Sequence, residues 1–129
     1  PVMGHLGILP QSTKGKFKSK GRSTNERKEL IRDCKLLENA GVFSIVLECV
    51  ERKLAKQITN LIKIPTIGIG SSNNCDGQIL VIDDILGLTE SKMKFVKKYA
   101  DVKKIIAFGA KKFKKEVKSK KYPSQKHSY

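Results

Sequence analysis

Gly41-Val42-Phe43-Ser44-Ile45-Val46-Leu47-Glu48-Cys49-Val50 is the stretch that decides how this chain folds. From Val42 to Leu47 it is almost continuously apolar and rich in β-branched residues. That is the pattern of a strand covered on both faces, as in a parallel sheet. An acid, Glu48, stands at its carboxyl end. Burying a carboxylate without a partner is costly, so Glu48 is either paired, to a neighbouring Lys or a loop N–H, or takes part in chemistry. In parallel α/β folds ligands sit beyond the carboxyl ends of the strands, which is where Glu48 falls.

Upstream, Val2-Met3-Gly4-His5-Leu6-Gly7 reads as a short strand opening into a loop. His5 lies near its end between two glycines, whose small size lets a ligand or another backbone come close. A lone histidine there is either a hydrogen-bonded core residue or part of a site. Residues 10–22 hold scattered Ser, Thr, Lys and Gly with no helical period, a long polar loop of the kind that often covers a site. Ser23 and Glu26 then fit a capping box. The helix that follows places Leu30, Cys34 and Leu37 on one face, and Gly41 stops it.

Downstream, Leu54, Ile58, Leu61 and Ile62 repeat at helical spacing, giving a second helix over residues 51–62 that Pro65 prevents from continuing. Residues 65–70 read as a third strand and residues 78–82 as a fourth, closed by Asp83 and Asp84. Neighbours on a strand end point to opposite sides, so only one of the two acids could face a site, and a turn or helix-cap role suits them better. Residues 102–118 form a last helix capped by Asp101, with Val102, Ile105, Ile106, Ala110, Phe113 and Val117 on its apolar face. Residues 119–129 read as an extended tail. Strands alternating with helices mean parallel strands joined by helical crossovers, an α/β fold. Four strands cannot close a barrel, and two open edges would remain. The expectation is a sheet with a missing partner, in keeping with a chain that begins at Pro1 inside an apolar motif.

Lys and Arg number 27 against 12 Asp and Glu, a net charge of +15. Such a field favours polyanions. Yet only Arg22, Arg27, Arg32 and Arg52 carry the guanidinium that reads bases or phosphates bidentately. A Lys-rich, Arg-poor chain also rich in Ile and Asn matches a biased coding composition better than a nucleic-acid groove. No RNA-binding signature, helix-turn-helix pattern or interleaving of aromatics with basic residues supports the nucleic-acid reading. Cys34, Cys49 and Cys75 are far apart, without zinc spacing. Cys34 on a helix face and Cys49 on a strand read as reduced packing residues of a cytoplasmic protein. No apolar run approaches membrane-spanning length, and no secretory pattern is visible. Gly68-Ile69-Gly70 lacks the third glycine of a dinucleotide fingerprint, since Asn73 stands in its place, and no phosphate-binding loop or nucleophile elbow occurs.

Five collinear segments carry a resemblance. Residues 1–11, PVMGHLGILPQ, resemble the GHLGLTPQ motif of the ketopantoate hydroxymethyltransferase family. Val46-Leu47-Glu48-Cys49-Val50 resembles its VLECVP, and Ile64-Pro65-Thr66-Ile67-Gly68-Ile69-Gly70 its IPxIGIGAG. Cys75-Asp76-Gly77-Gln78-Ile79-Leu80-Val81 resembles its DGQxLV. Tyr122-Pro123 with His127-Ser128-Tyr129 resembles its FPxxEHSF ending. The resemblance implies a (β/α)8 TIM barrel in which residues 1–129 are the C-terminal half of a single domain, strands five to eight, with residues 119–129 as its tail.

The implied reaction moves a one-carbon unit from 5,10-methylenetetrahydrofolate, the co-substrate, to 3-methyl-2-oxobutanoate, giving 2-dehydropantoate on the way to pantothenate. The implied cofactor is Mg²⁺, with ligands in the first half of the barrel. No metal ligand or cofactor-binding residue is therefore assigned to this chain. By resemblance Glu48 is the general base that removes the C3 proton, His5 positions the substrate, and the loop at residues 10–22 covers the site. The implied partners are the 2-oxo acid, the folate, the N-terminal half of the barrel and further copies of the protein in a homo-oligomer. The fragment alone is expected not to turn over. Two other readings stand beside this one, a basic nucleic-acid-binding module and a non-catalytic half-barrel that serves as an assembly partner. The chain departs from the pattern at Gly70-Ser71-Ser72, where the family has Gly-Ala-Gly, and a side chain at Ser72 carries a penalty if its φ is positive. Lys126 replaces the acid before the terminal His-Ser.

Overall fold

The computed structural model describes residues 1–9 and 18–129, so most of the expected covering loop lies outside the described residues. Two compact units divide the chain, Pro1–Leu80 and Val81–Tyr129. In the first, β1 (Met3–Gly7), α1 (Thr24–Asn39), β2 (Ser44–Glu48), α2 (Arg52–Leu61), β3 (Thr66–Ile69) and β4 (Gly77–Gln78) alternate as the sequence pattern implies. The four strands form one sheet in the order β1-β2-β3-β4, and every pairing is parallel. This is the four-stranded sheet with helical crossovers expected of half a barrel.

Strand side chains alternate between faces, and the register therefore sorts the residues. Ile45, Leu47 and Thr66 are fully buried on the helix side, where Cys34, Leu54, Ala55 and Ile58 complete the core. Gly4 belongs to that side too, with a Cβ position only 3.0 Å from Leu37. The opposite face carries Met3, His5 and Gly7 from β1 beside Ser44, Val46 and Glu48 from β2. It is only partly covered: Met3 is exposed, while His5, Val46 and Glu48 are half-buried. The central strand is thus fully covered on one face only, and Phe43, expected inside, is exposed.

Local chemistry sets the ends of α1. The Ser23 hydroxyl accepts a hydrogen bond from the Glu26 N–H at 3.2 Å. The Glu26 carboxylate turns back instead to the N–H groups of Gly21 and Arg22, so the capping box is shifted toward the incoming loop. At the other end Gly41 adopts φ 84°. The N–H groups of Gly41 and Val42 reach the carbonyls of Glu38 and Leu37, a Schellman closure that aims the chain straight into β2. Helix α2 starts on a carboxylate cap: Glu51 accepts from the N–H groups of Lys53 and Leu54 at 3.0 and 3.1 Å and from Arg27 at 3.0 Å. Leu61, expected on its inner face, points outward, whereas Ile62 just past the helix is buried.

These bonds, led by the one from the Lys53 N–H, hold the Glu51 carboxyl below its ordinary pKa. A folded-state pKa lowered in this way stabilises the fold above the ordinary carboxylate range, and the contribution is lost as pH falls through the folded value. Glu51→Ala should cost about 1 kcal/mol at neutral pH, the usual cost of losing a helix cap. Urea titrations should show that difference shrinking under acid. A difference unchanged from neutral to strongly acidic pH would contradict the cap assignment.

The fourth strand is shorter than the sequence pattern implies. Gly77 and Gln78 pair with Ile67 and Gly68, and the Ile79 N–H reaches the Gly68 carbonyl, but pairing stops there. In Val81–Tyr129 the chain turns into α3 (Ile82–Leu86), whose first turn holds Asp83 and Asp84. The acids therefore open a helix rather than close a strand. Negative charge at a helix N-terminus is favourable, and Val81 and Ile82 are exposed, with no burial to favour a strand there. Helix α4 (Val102–Lys118) follows, and the Asp101 side chain accepts from the Lys104 N–H as expected of its cap. Within the described residues its apolar side chains Ile105, Ile106, Phe113 and Val117 are exposed. The tail, expected to be extended, contains a 3-10 turn at Gln125–His127, and Tyr122 packs edge-on against Phe113 with ring centroids 5.4 Å apart.

Candidate active site

Parallel pairing places the carboxyl ends of β1 and β2 side by side, with Gly7 opposite Glu48 and His5 opposite Val46. His5 and Glu48 are therefore diagonal neighbours on the less covered face. Gly7 has no side chain to fill the gap, and His5 Nε2 lies 3.0 Å from Glu48 Oε2. The carboxylate thus has an imidazole as its partner, neither the Lys nor the loop N–H that a purely structural role suggested. Side-chain exposure is 32% for His5 and 19% for Glu48, enough shelter to strengthen the contact while leaving access from one side.

The His5 ring has a further property. With Nε2–H donating to the carboxylate, Nδ1 is left as an acceptor, and it is buried without a partner among the described residues. The Ser44 hydroxyl, on the same sheet face, is likewise buried and unpaired. Buried polar atoms are ordinarily satisfied.

Glu48 is held by an unusual bend. Cys49, which follows it, lies just past the strand with φ 52°, a left-handed conformation that costs a residue with a Cβ about 1–2 kcal/mol. Nearly every backbone group around the bend is tied down. The Glu48 carbonyl accepts from the Ile8 N–H at 3.0 Å, and the Cys49 N–H donates to the Ile69 carbonyl at 2.9 Å. The Cys49 carbonyl accepts from Lys20 at 2.9 Å, and Glu51 donates to the Lys20 carbonyl at 2.8 Å. The Ser71 hydroxyl donates to the Leu47 carbonyl at 2.7 Å and accepts from the Val50 N–H at 3.0 Å. Gly7 is packed against the same bend: a Cβ there would sit 2.0 Å from the Glu48 carbonyl oxygen.

Sequence reasoning located His5 and Glu48 but missed Ser71. The run Gly70-Ser71-Ser72 marks Ser72 by its departure from Gly, but nothing in it marks Ser71. The feared strain at Ser72 does not arise, because it is not among the positive-φ residues, and its buried hydroxyl accepts from the Asn74 N–H at 3.2 Å. Cys49 is a bend residue and not a strand residue. Burial pushes its thiol and that of Cys34 up, which disfavours the thiolate in each. Asp83 and Asp84 lie outside the unit that holds His5 and Glu48. Among the described residues no group of three or more His, Cys, Asp or Glu side chains is gathered so as to hold a metal ion. Among the described residues no helix is long and apolar enough to cross a membrane.

A parallel sheet in the order β1-β2-β3-β4, with a carboxylate–imidazole pair at the carboxyl ends of adjacent strands, matches half of a (β/α)8 barrel. Comparison with known proteins narrows this. The family described as ketopantoate hydroxymethyltransferase matches residues 1–125, and the chain belongs to that family. It is 60% identical, over its whole length, to the 3-methyl-2-oxobutanoate hydroxymethyltransferase of Pelagibacter ubique, of which it covers 50%. To the proteins of the same name from Clostridium botulinum strain 657 and Chlorobaculum tepidum it is 49% and 46% identical, again over its whole length, covering 48% of each. The chain thus spans about half the length of the curated relatives it matches.

Proposed function

We propose that these residues are the carboxyl-side half of an enzyme that transfers a one-carbon unit from 5,10-methylenetetrahydrofolate to 3-methyl-2-oxobutanoate, forming 2-dehydropantoate. Glu48 is the general base. Its carboxylate takes the C3 proton of the 2-oxo acid, and the electron pair left behind delocalises onto the 2-oxo oxygen as an enolate. Water adds to the methylene carbon and its bonds to the folate nitrogens break, releasing tetrahydrofolate and leaving the one-carbon unit as formaldehyde. C3 of the enolate bonds to that carbon as its C=O π bond breaks, and the resulting alkoxide takes the proton back from Glu48. His5 is the positioning residue: its Nε2–H holds Glu48 Oε2, leaving the other carboxylate oxygen to meet the proton. Mg²⁺, when bound, supplies charge stabilisation of the enolate. Its ligands come from the other half of the barrel. The complete enzyme works in the cytoplasm as a homo-oligomer.

The observation that carries the reading is the 3.0 Å His5–Glu48 pair at the strand ends of a chain in this family. Exchange of the C3 proton into deuterated water, followed by NMR, tests it. The protein at its natural length should exchange the proton in the presence of Mg²⁺. Residues 1–129 alone should show no exchange above the uncatalysed rate, because the resemblance assigns the metal carboxylates to the other half of the barrel. Clear Mg²⁺-dependent exchange by the 129-residue chain would overturn the second expectation, and none by the natural-length protein would overturn the first.

A further inference from the structure

We infer that Ser71 is a positioning residue for Glu48, acting through the backbone bend that carries it. The inference rests on the role proposed above for Glu48. The Ser71 hydroxyl spans the bend: it donates to the Leu47 carbonyl at 2.7 Å on one side of Glu48 and accepts from the Val50 N–H at 3.0 Å on the other. Between those two anchors stand only Glu48 and Cys49. Cys49 is held at φ 52°, a conformation that persists only where its surroundings over-determine it. The other ties on this bend are backbone ones: Ile8 holds the Glu48 carbonyl, Ile69 the Cys49 N–H, and Lys20 both the Cys49 carbonyl and the Glu51 N–H. Ser71 is the side chain that closes both flanks at once.

Leu47 is fully buried and Val50 nearly so. Without the hydroxyl, the Val50 N–H and the Leu47 carbonyl lose their shared partner, and Cys49 can relax toward negative φ. Rotation there swings the Glu48 carboxylate relative to His5. The effect of the Ser71 hydroxyl is on the placement of the base, not on substrate contact, so it belongs in kcat and not in KM.

The test uses the natural-length protein with Ser71→Ala and Ser71→Thr. Ser71→Ala should lower kcat for C3 proton exchange about three- to tenfold, the scale of a small misplacement of a catalytic group, with KM within about twofold. Ser71→Thr, which keeps the hydroxyl, should recover most of the loss. In parallel, NMR should show faster amide exchange at Val50 and a moved His5 imidazole signal in Ser71→Ala alone. Unchanged kcat, Val50 exchange and His5 signal in a folded Ser71→Ala protein would overturn the inference. So would a loss carried by KM, or one that Thr fails to recover. If the unmodified protein exchanges no C3 proton, the proposed function fails, and the Val50 and His5 signals still decide whether Ser71 sets the bend.

Discussion

Glu48→Gln should reduce turnover of the natural-length protein by about 10²- to 10⁴-fold, the range for removal of a general base. Gln keeps the size of the side chain and can still meet His5 Nε2, which lies 3.0 Å from the carboxylate in the native site. It cannot accept the C3 proton. Substrate binding should therefore change little, and the loss should fall on kcat. His5→Gln should cost less, since it removes the group that orients the base and leaves the base in place. Steady-state kinetics of the two variants check the assignment. A Glu48→Gln protein with more than about a tenth of native kcat would exclude Glu48 as the base.

Gly7→Ala should be the most damaging single methyl in the first unit. Gly7 has φ 110°, where side chains are strained, and a Cβ would lie 2.0 Å from the Glu48 carbonyl oxygen and 2.9 Å from its carbon. That oxygen accepts from the Ile8 N–H at 3.0 Å, so moving it out of the collision also breaks that hydrogen bond. We expect a loss of roughly 3–5 kcal/mol, at the high end of single substitutions and a large share of the stability of a domain this size. Urea denaturation measures it directly. Gly41→Ala is the contrast: its φ is also positive, at 84°, but no atom lies within 4 Å of its Cβ position, so the cost should be only about 1 kcal/mol. Equal costs at the two positions would show that the close approach to Glu48 is not what makes Gly7 special.

The alternating fold was legible because its signals are local. The apolar run ending at Glu48, the Ser23 cap, the Gly41 stop and the Asp101 cap each act within a few residues. The fourth strand was misjudged for the same reason. Residues 78–82 are apolar enough for a strand, but only Gly77 and Gln78 find a partner on β3, and no local rule reveals that. His5 and Glu48 were each visible as strand-end residues with polar chemistry. Their pairing depends on the register of β1 against β2, which lies between positions 43 residues apart. Ser71 was invisible because its two partners, Leu47 and Val50, offer backbone groups, which any sequence supplies at every position. The positive φ at Cys49 was hidden as well, since nothing in a cysteine signals a left-handed bend.

The most direct test of the central claim follows a labelled carbon. The natural-length protein is mixed with 3-methyl-2-oxobutanoate, Mg²⁺ and 5,10-methylenetetrahydrofolate carrying ¹³C in its methylene group, and the products are read by NMR. The expected result is a ¹³C hydroxymethyl signal from 2-dehydropantoate, appearing with the native protein and suppressed in Glu48→Gln. Recovery of both substrates unchanged from a folded native protein, or equal product from native and Glu48→Gln, would contradict it.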